Sequence, residues 1–280
     1  MTKIIADTLC GLSPQEAARL GIAYLPQIII FGDQSYRDDS EIDSDTFIKR
    51  LRVSPVLPKT AAPPPAFYTP IYQKFAAEGE QMVVIAPATE LSGTVRSASV
   101  AANDFPEAVI RVVDTHTMAG PLASLVLNAV EWANQGMDAF SIEDRVNEMA
   151  SRQRVYFLVD TLEFLRKGGR IGGAQALLGS VLQIKPILTL KNGRVEPAES
   201  QRTKARALAR IHEIVYSDCP PGNESNLSVM HGDAEAEATA LAQELGNKLG
   251  MTQVPIYKLP PAILVHAGPG VLAVGYFVSK

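Results

Sequence analysis

The sequence predicts an α/β protein of two domains, the first built on a mainly parallel sheet and the second on a mixed one. Three observations carry this reading. Short apolar runs rich in β-branched residues alternate with longer segments of helical period, the pattern of strands joined by crossover helices. Lys191-Asn192-Gly193 sits between two apolar runs, and Asn-Gly in that setting is a strong signal for an antiparallel hairpin in the second half. At 280 residues the chain lies near the upper limit for one core, while 46% hydrophobic against 20% charged residues provides for a large packed interior.

Taken in order, strands are expected over 3–6, 24–31, 82–86 and 110–113, with helices over 13–20, 44–51, 66–77 and 94–103. Ser13-Pro14 opens the first helix as cap and first-turn proline. A further helix over 117–134 has no charged residue before Glu131, and its small residues Ala119, Gly120, Ala123 and Ser124 predict burial on most of its circumference. A domain boundary is expected near residue 150. Beyond it come a strand over 155–159, a short helix over 162–167 stopped by Gly168-Gly169, and the hairpin of 184–190 with 194–197. A helix over 203–216, a strand over 227–230, a helix over 234–249 and a strand over 255–258 follow. The uncharged stretch 259–278 is long enough to span a bilayer, but Pro260, Pro261, Gly268, Pro269 and Gly270 would break a lipid-exposed helix. It reads instead as two buried strands, 262–265 and 271–278, joined by a turn at His266-Ala-Gly-Pro-Gly270.

Composition excludes several function classes. The 26 Lys and Arg against 30 Asp and Glu give a net charge of −4, the wrong balance for a nucleic-acid binder. Cys10 and Cys219 are too few and too far apart for a disulfide framework or a CxxC metal site, and the first residues carry no secretory signal, so a cytoplasmic location is expected. No GxxxxGK[ST], no GxGxxG after the first strand, no HExxH and no GxSxG elbow is present. No cofactor and no metal are expected.

The most informative stretch is VVIAPATELSGTVRSA over 83–98, a buried strand passing through a polar loop into a helix whose first turn holds Ser92, Gly93 and Thr94. Helix N-termini leave N–H groups unpaired, and a strand-to-helix loop in an α/β fold aims them at the ligand crevice, so an anion fits there. Ser92 as a simple helix cap is the competing reading. Lys59-Thr60 ahead of Pro63-Pro64-Pro65 forms a rigid loop that fixes Thr60. His266 sits on a small-residue turn, as a structural hydrogen-bonder or as a group that acts on a ligand. Arg170, at the end of the helix that stops at Gly168-Gly169, is read as an exposed guanidinium offered to a phosphate or a partner, with capping as the plainer account. Arg202 opens a basic helix and has the same two readings.

In order and spacing these segments resemble the DegV family of bacterial fatty-acid-binding proteins. The resemblance rests on Asp7-Thr8, Tyr36-Arg-Asp38, Lys59-Thr60, Leu91-Ser-Gly-Thr94 with Ser97-Ala98, Asp114-Thr115, Asp160-Thr-Leu162, Lys167-Gly-Gly-Arg-Ile171, Lys185-Pro-Ile187, Arg202-Thr203 and His266-Ala-Gly-Pro-Gly270, and so covers essentially the whole chain. It implies one long-chain fatty acid in a tunnel between the domains, with 1–150 carrying the carboxylate site and 151–280 completing the tunnel. By match of motif, Thr60 and Ser92 would bond the carboxylate, with Gly93, Thr94 and His266 beside it. Some members present the bound acid to a separate fatty-acid kinase, which binds the ATP; there Arg170, Arg202 and His266 would serve docking and phosphoryl transfer.

Two departures stand out. After Thr60 the family usually continues Ser-Gln-Pro-Ser, where this chain has Ala61-Ala62-Pro63-Pro64; before LSGT it commonly has Ser-Ser, where this chain has Pro87-Ala88-Thr89-Glu90. Glu90 so near an anion site is unfavourable unless it points away. A lipid agrees with the residues themselves, because apolar segments can line a dry cavity while hydroxyls gather at one end. At about 0.8 kcal/mol per CH₂, a tail of about sixteen carbons gains roughly 12 kcal/mol gross. Two enzyme readings stay open beside the carrier: a serine acyl-hydrolase using Ser92 and a phosphotransfer protein using His266. A lipid sensor that binds a partner through Arg170 is the third.

Overall fold

The computed structural model describes residues 1–178 and 184–280. Its first sheet has the order β2-β1-β6-β7, from Ala23–Leu25, Thr2–Asp7, Gln81–Ala86 and Ile110–Asp114, all parallel. Parallel neighbours need crossovers, and the intervening helices supply them: α1 (Pro14–Arg19), α3 (Pro65–Ala77) and α4 (Thr94–Ala102). The helices α5 (Ala119–Asn134) and α6 (Ala139–Ser151) follow β7. The strands of this sheet are buried on both faces. Ile5 and Val84 pack with Tyr68, Tyr72 and Ala98 on one side, Ile4, Val83 and Ile85 with Leu122 and Ile142 on the other.

The second sheet is mixed, in the order β10-β9-β8-β13-β11-β12. Its strands are β8 (Gln153–Leu158), β9 (Lys185–Lys191), β10 (Arg194–Gln201), β11 (Ser228–Gly232), β12 (Ile256–Lys258) and β13 (Val271–Phe277). All neighbours run antiparallel except β11 and β12. Asn192 and Gly193 turn the β9–β10 hairpin with φ of 50° and 76°, the left-handed pair that a two-residue turn requires. The helices α8 (Lys204–Asp218) and α9 (Glu235–Leu249) cover one face through Ile211, Val215, Leu241 and Leu245.

Between the sheets lies α5, which explains its missing charges. It contacts β1 and β6 of one sheet and β11 and β13 of the other. A Cβ at Gly120 would overlap Ser228 Oγ, so the close approach of α5 to β11 depends on that glycine.

Two expectations are corrected, and one helix comes unannounced. The run 24–31 is not one strand: β2 ends at Leu25, and after Pro26 the chain enters a third, three-stranded sheet as β3 (Ile28–Phe31), flanked by β4 (Gln34–Arg37) and β5 (Lys59–Ala61). Proline cannot donate to a ladder, so the chain changes sheets there. Residues 262–265 are helical, part of α10 (Pro261–Ala267), because Pro260 and Pro261 supply the extended cap and preset first turn of a helix. The helix is buried throughout except at His266, so it shows no polar face to distinguish it from a buried strand. Helix α6 was not expected, although Asp138 caps it and Ile142, Val146 and Met149 follow at helical spacing. Short helices α2 (Ser44–Val53) and α7 (Glu163–Lys167) complete the chain. Residue 150, near which the domain boundary is expected, lies in the last turn of α6.

Candidate functional site

A cavity with about 890 Å³ of unfilled space, including its open mouth, lies between the two sheets. Most of its wall is apolar: Met118 and Ala119 from the start of α5, Phe157 from β8, Met230 from β11, Val271 and Ala273 from β13. Its polar wall residues come from separate elements, Gln27 before β3, Thr60 on β5, Ser92 in the β6–α4 loop, Arg170 after α7 and His266 on α10. Contacts gather them at one place. Thr60 meets His266, Arg170 donates to the Leu91 carbonyl beside Ser92, and a Cβ at Gly93 would come 3.5 Å from Ala62 Cβ.

Ser92 is buried, and its Oγ lies 3.0 Å from Thr94 Oγ1 and 3.3 Å from the Thr94 N–H. Gly93, with φ of −78° and ψ of 5°, caps the start of α4 and is itself part of the cavity wall. Neither its backbone angle nor a protein neighbour demands glycine, so the absent side chain leaves space in the cavity. Thr94 is turned the other way. Its hydroxyl donates to Asp7 Oδ2 at 2.6 Å and it is not part of the wall, so the expectation that it faces a ligand directly is corrected.

Behind Ser92 stands a polar group that the sequence pattern touched only in part. Gln27 Nε2 donates to Asp7 Oδ2 at 2.7 Å, the Leu9 N–H donates to Asp7 Oδ1, and the Gln27 N–H donates to Asp38 Oδ1 at 2.8 Å. Thr8 Oγ1 donates to the same Asp38 oxygen. Burial dominates both acids. It pushes Asp7 up to about 6 against the lowering bonds from Thr94, Leu9 and Gln27, and Asp38 up to about 7. Gln27 was missed altogether. Its signal was only its position after Pro26, where the chain passes between two sheets.

His266 occupies the last turn of α10, with Nε2 3.0 Å from Thr60 Oγ1 and Nδ1 buried without a partner among the described residues. Burial, then the Arg170 charge, lowers it to about 4, so the ring is neutral near pH 7. Gly168 packs under the ring, where a Cβ would overlap Nδ1. Arg170 is also corrected: it is half-buried, part of the cavity wall, and bonded to the carbonyls of Leu91 and Gly168 at 3.2 and 2.8 Å. Two carbonyls and the turn after Gly169 (φ 70°) hold it inward. Arg202 is exposed in the bend before α8 and outside the cavity. Glu90 is exposed and faces Arg194 at 3.7 Å, so its charge points away from the cavity.

Among the described residues no group of His, Cys, Asp or Glu is placed to hold a metal, and no helix is long and apolar enough to cross a membrane. Ser92 and His266 do not bond one another; each has a threonine partner instead.

Residues 1–279 match the DegV family, described as uncharacterised proteins. A DegV domain-containing protein of Streptomyces coelicolor is 36% identical over 274 residues, 97% of this chain and 96% of that protein. Among solved structures, a DegV family protein of Thermus thermophilus, described by its fatty-acid binding, is 30% identical with a TM-score of 0.91 over 99% of both chains. The DegV fatty-acid-binding protein of Bacillus subtilis is 27% identical with a TM-score of 0.88, again over 99% of both.

Proposed function

The chain belongs to the DegV family, and we propose that it binds one long-chain fatty acid and presents it for lipid metabolism, without chemistry of its own. One observation carries the reading: an apolar cavity between the sheets meets a polar cluster of Thr60, Ser92, Arg170 and His266. An amphiphile with a single anionic end matches that division. The tail lies among Met118, Phe157, Met230 and Ala273, between walls from 1–150 and 151–280 treated as two domains. The carboxylate takes hydrogen bonds from Thr60 and Ser92 near the Gly93 backbone, while the fixed Arg170 guanidinium supplies the opposite charge. Thr94 supports Ser92 from behind. Fatty-acid binding by the Thermus and Bacillus proteins supports the ligand class.

The carrier reading extends to a partner. A separate kinase that phosphorylates the carboxylate would dock over the exposed Arg202 and reach the head group past Arg170 and His266. The acyl-hydrolase alternative is less well supported, since among the described residues Ser92 bonds Thr94 and no base. Phosphotransfer through His266 has the buried Nδ1 and the Thr60-bonded Nε2 against it.

Native mass spectrometry of the purified protein, followed by denaturing lipid extraction, tests the reading. One bound fatty acid per chain is expected. A protein that neither retains nor takes up any fatty acid would sink it.

A further inference from the structure

Behind Ser92 lies a chain of hydroxyls that ends on one buried carboxyl. Thr94 Oγ1 stands between Asp7 Oδ2 at 2.6 Å and Ser92 Oγ at 3.0 Å, and Gln27 Nε2 reaches both Asp7 Oδ2 and Thr94 Oγ1 at 2.7 and 3.2 Å. Each hydroxyl has one proton to give. With Asp7 ionised, Thr94 gives its proton to the carboxylate, the stronger acceptor, and only accepts from its other neighbours. Ser92 then gives its proton to Thr94 and turns lone pairs toward the cavity. With Asp7 protonated the chain reverses: Asp7 donates to Thr94, Thr94 to Ser92, and Ser92 to whatever anion lies in the cavity.

We propose that docking of a carboxylate on Ser92 draws one proton from solvent onto Asp7, which makes Asp7 the positioning residue for the Ser92 hydroxyl. The inference rests on the fatty-acid reading above. The step breaks no covalent bond other than those to the transferred protons. One proton enters at Asp7 Oδ2, each hydroxyl passes on its own orientation, and the ligand keeps its negative charge.

The surroundings favour the uptake. Asp7 is buried, and the titratable groups that face it are Asp38, Cys10, Tyr24 and Tyr68, with no cation among them. Burial raises the Cys10 thiol to about 12 and raises both phenols, so these are neutral near pH 7. Among the described residues Asp38, raised to about 7, is the neighbour that shares the charge, and Gln27 ties it to Asp7 by donating to one acid through its backbone and to the other through its side chain. A further anion on Ser92 makes an ionised Asp7 costlier still. Since burial already holds Asp7 near 6, a modest rise carries it through neutrality. Asp38 has no bond to Thr94 or Ser92, so a proton placed there does not turn the chain.

The test is calorimetric titration of palmitate into the full-length protein at pH 7 in two buffers of different ionisation enthalpy, which counts protons directly. Wild type is expected to take up about one proton per palmitate, with Kd rising up to about tenfold per pH unit above pH 6. In Asp7→Asn the amide donates permanently to Thr94, while Gln27 turns its own amide to accept, so palmitate should bind with about zero uptake and a flat pH profile. Thr94→Val keeps Asp7 and breaks the chain, and the same loss of uptake is expected; it decides the matter if Asp7→Asn fails to fold. A wild type that takes up no proton overturns the proposal. So does full uptake in Asp7→Asn, which would place the proton on Asp38 or on the ligand, or in Thr94→Val, which would show that the hydroxyl chain does not couple Ser92 to Asp7. Ser92→Ala separates the two readings. If it binds palmitate as tightly as wild type, the head group does not lie on Ser92 and the functional placement falls; if it weakens binding while wild type takes up no proton, the hydroxyl chain alone is wrong.

Discussion

His266 Nε2 stands 3.0 Å from Thr60 Oγ1, a contact that joins α10 to β5 across 206 residues of sequence. It ties the helix that carries the imidazole to the edge of the small sheet and holds both side chains on the cavity wall. The ring is neutral, so one of its nitrogens accepts and the other carries the proton. Four predictions follow from this arrangement and its neighbours.

Thr60→Val and Ser92→Ala should each weaken fatty-acid binding by about 1 to 2 kcal/mol, roughly 5- to 30-fold in Kd, because each removes a donor from a buried anion. The check is a lipid titration on variants whose folding has been confirmed by circular dichroism. Unchanged affinity in both would move the head group elsewhere.

Gly168→Ala should disturb the site without touching it directly. The added methyl overlaps His266 Nδ1, and neither the ring, held by Thr60, nor the α7 backbone gives way easily. A loss of about 1 to 3 kcal/mol of stability is expected, read as a drop of several degrees in Tm together with weaker ligand binding. An alanine variant as stable as wild type would show that the ring moves freely.

The pH dependence of stability has opposed parts. His266 is lowered from 6.5 to about 4, so unfolding releases an imidazole that binds a proton readily. Its contribution is therefore complete above pH 6.5 and is lost as pH falls toward 4. Asp7 and Asp38 are raised, from 3.8 to about 6 and about 7, so their contribution is complete below pH 3.8 and is lost as pH rises through 6 to 7. Denaturant unfolding of wild type and His266→Gln at pH 5 and pH 7.5 separates them. Relative to wild type, the variant should gain stability on moving to pH 5; an identical shift in both proteins would mean that the imidazole is not held neutral.

Arg170 and Arg202 should separate cleanly. Arg170→Ala removes the charge on the cavity wall and lets the His266 pKa rise, so lipid affinity should fall at least fivefold, about 1 kcal/mol. Arg202→Ala should leave lipid affinity within about twofold of wild type while impairing turnover by a cognate kinase. Equal loss of lipid binding in both would contradict the inward and outward placement of the two guanidinium groups.

Much of the architecture was legible in local pattern. The strand, polar loop and helix over 83–98 appear as β6 and α4, and the Asn192-Gly193 turn closes the hairpin it promised. What local pattern could not show is which residues meet. Asp7 reaches Thr94 over 87 residues because a parallel crossover sets the ends of β1 and β6 side by side, and Thr60 reaches His266 over 206 because α10 packs on β5. Arg170 illustrates the other limit. A cation at a helix end looks like a surface group, and only the turn at Gly169 and the two carbonyls it meets fold it inward. The helix over 261–267 was hidden because its burial left no polar face.

The position of β13 sets an order on the life of the molecule. It follows every other strand in the chain, yet it lies third from one edge of the six-stranded sheet, paired on either side with β8 and β11. Until the ribosome has released residues 271–277, β8 to β10 and β11 to β12 are two fragments with no shared ladder. Val271 and Ala273 of that same strand form part of the cavity wall. The wall between the sheets is therefore incomplete until residues 271–277 have joined β8 and β11.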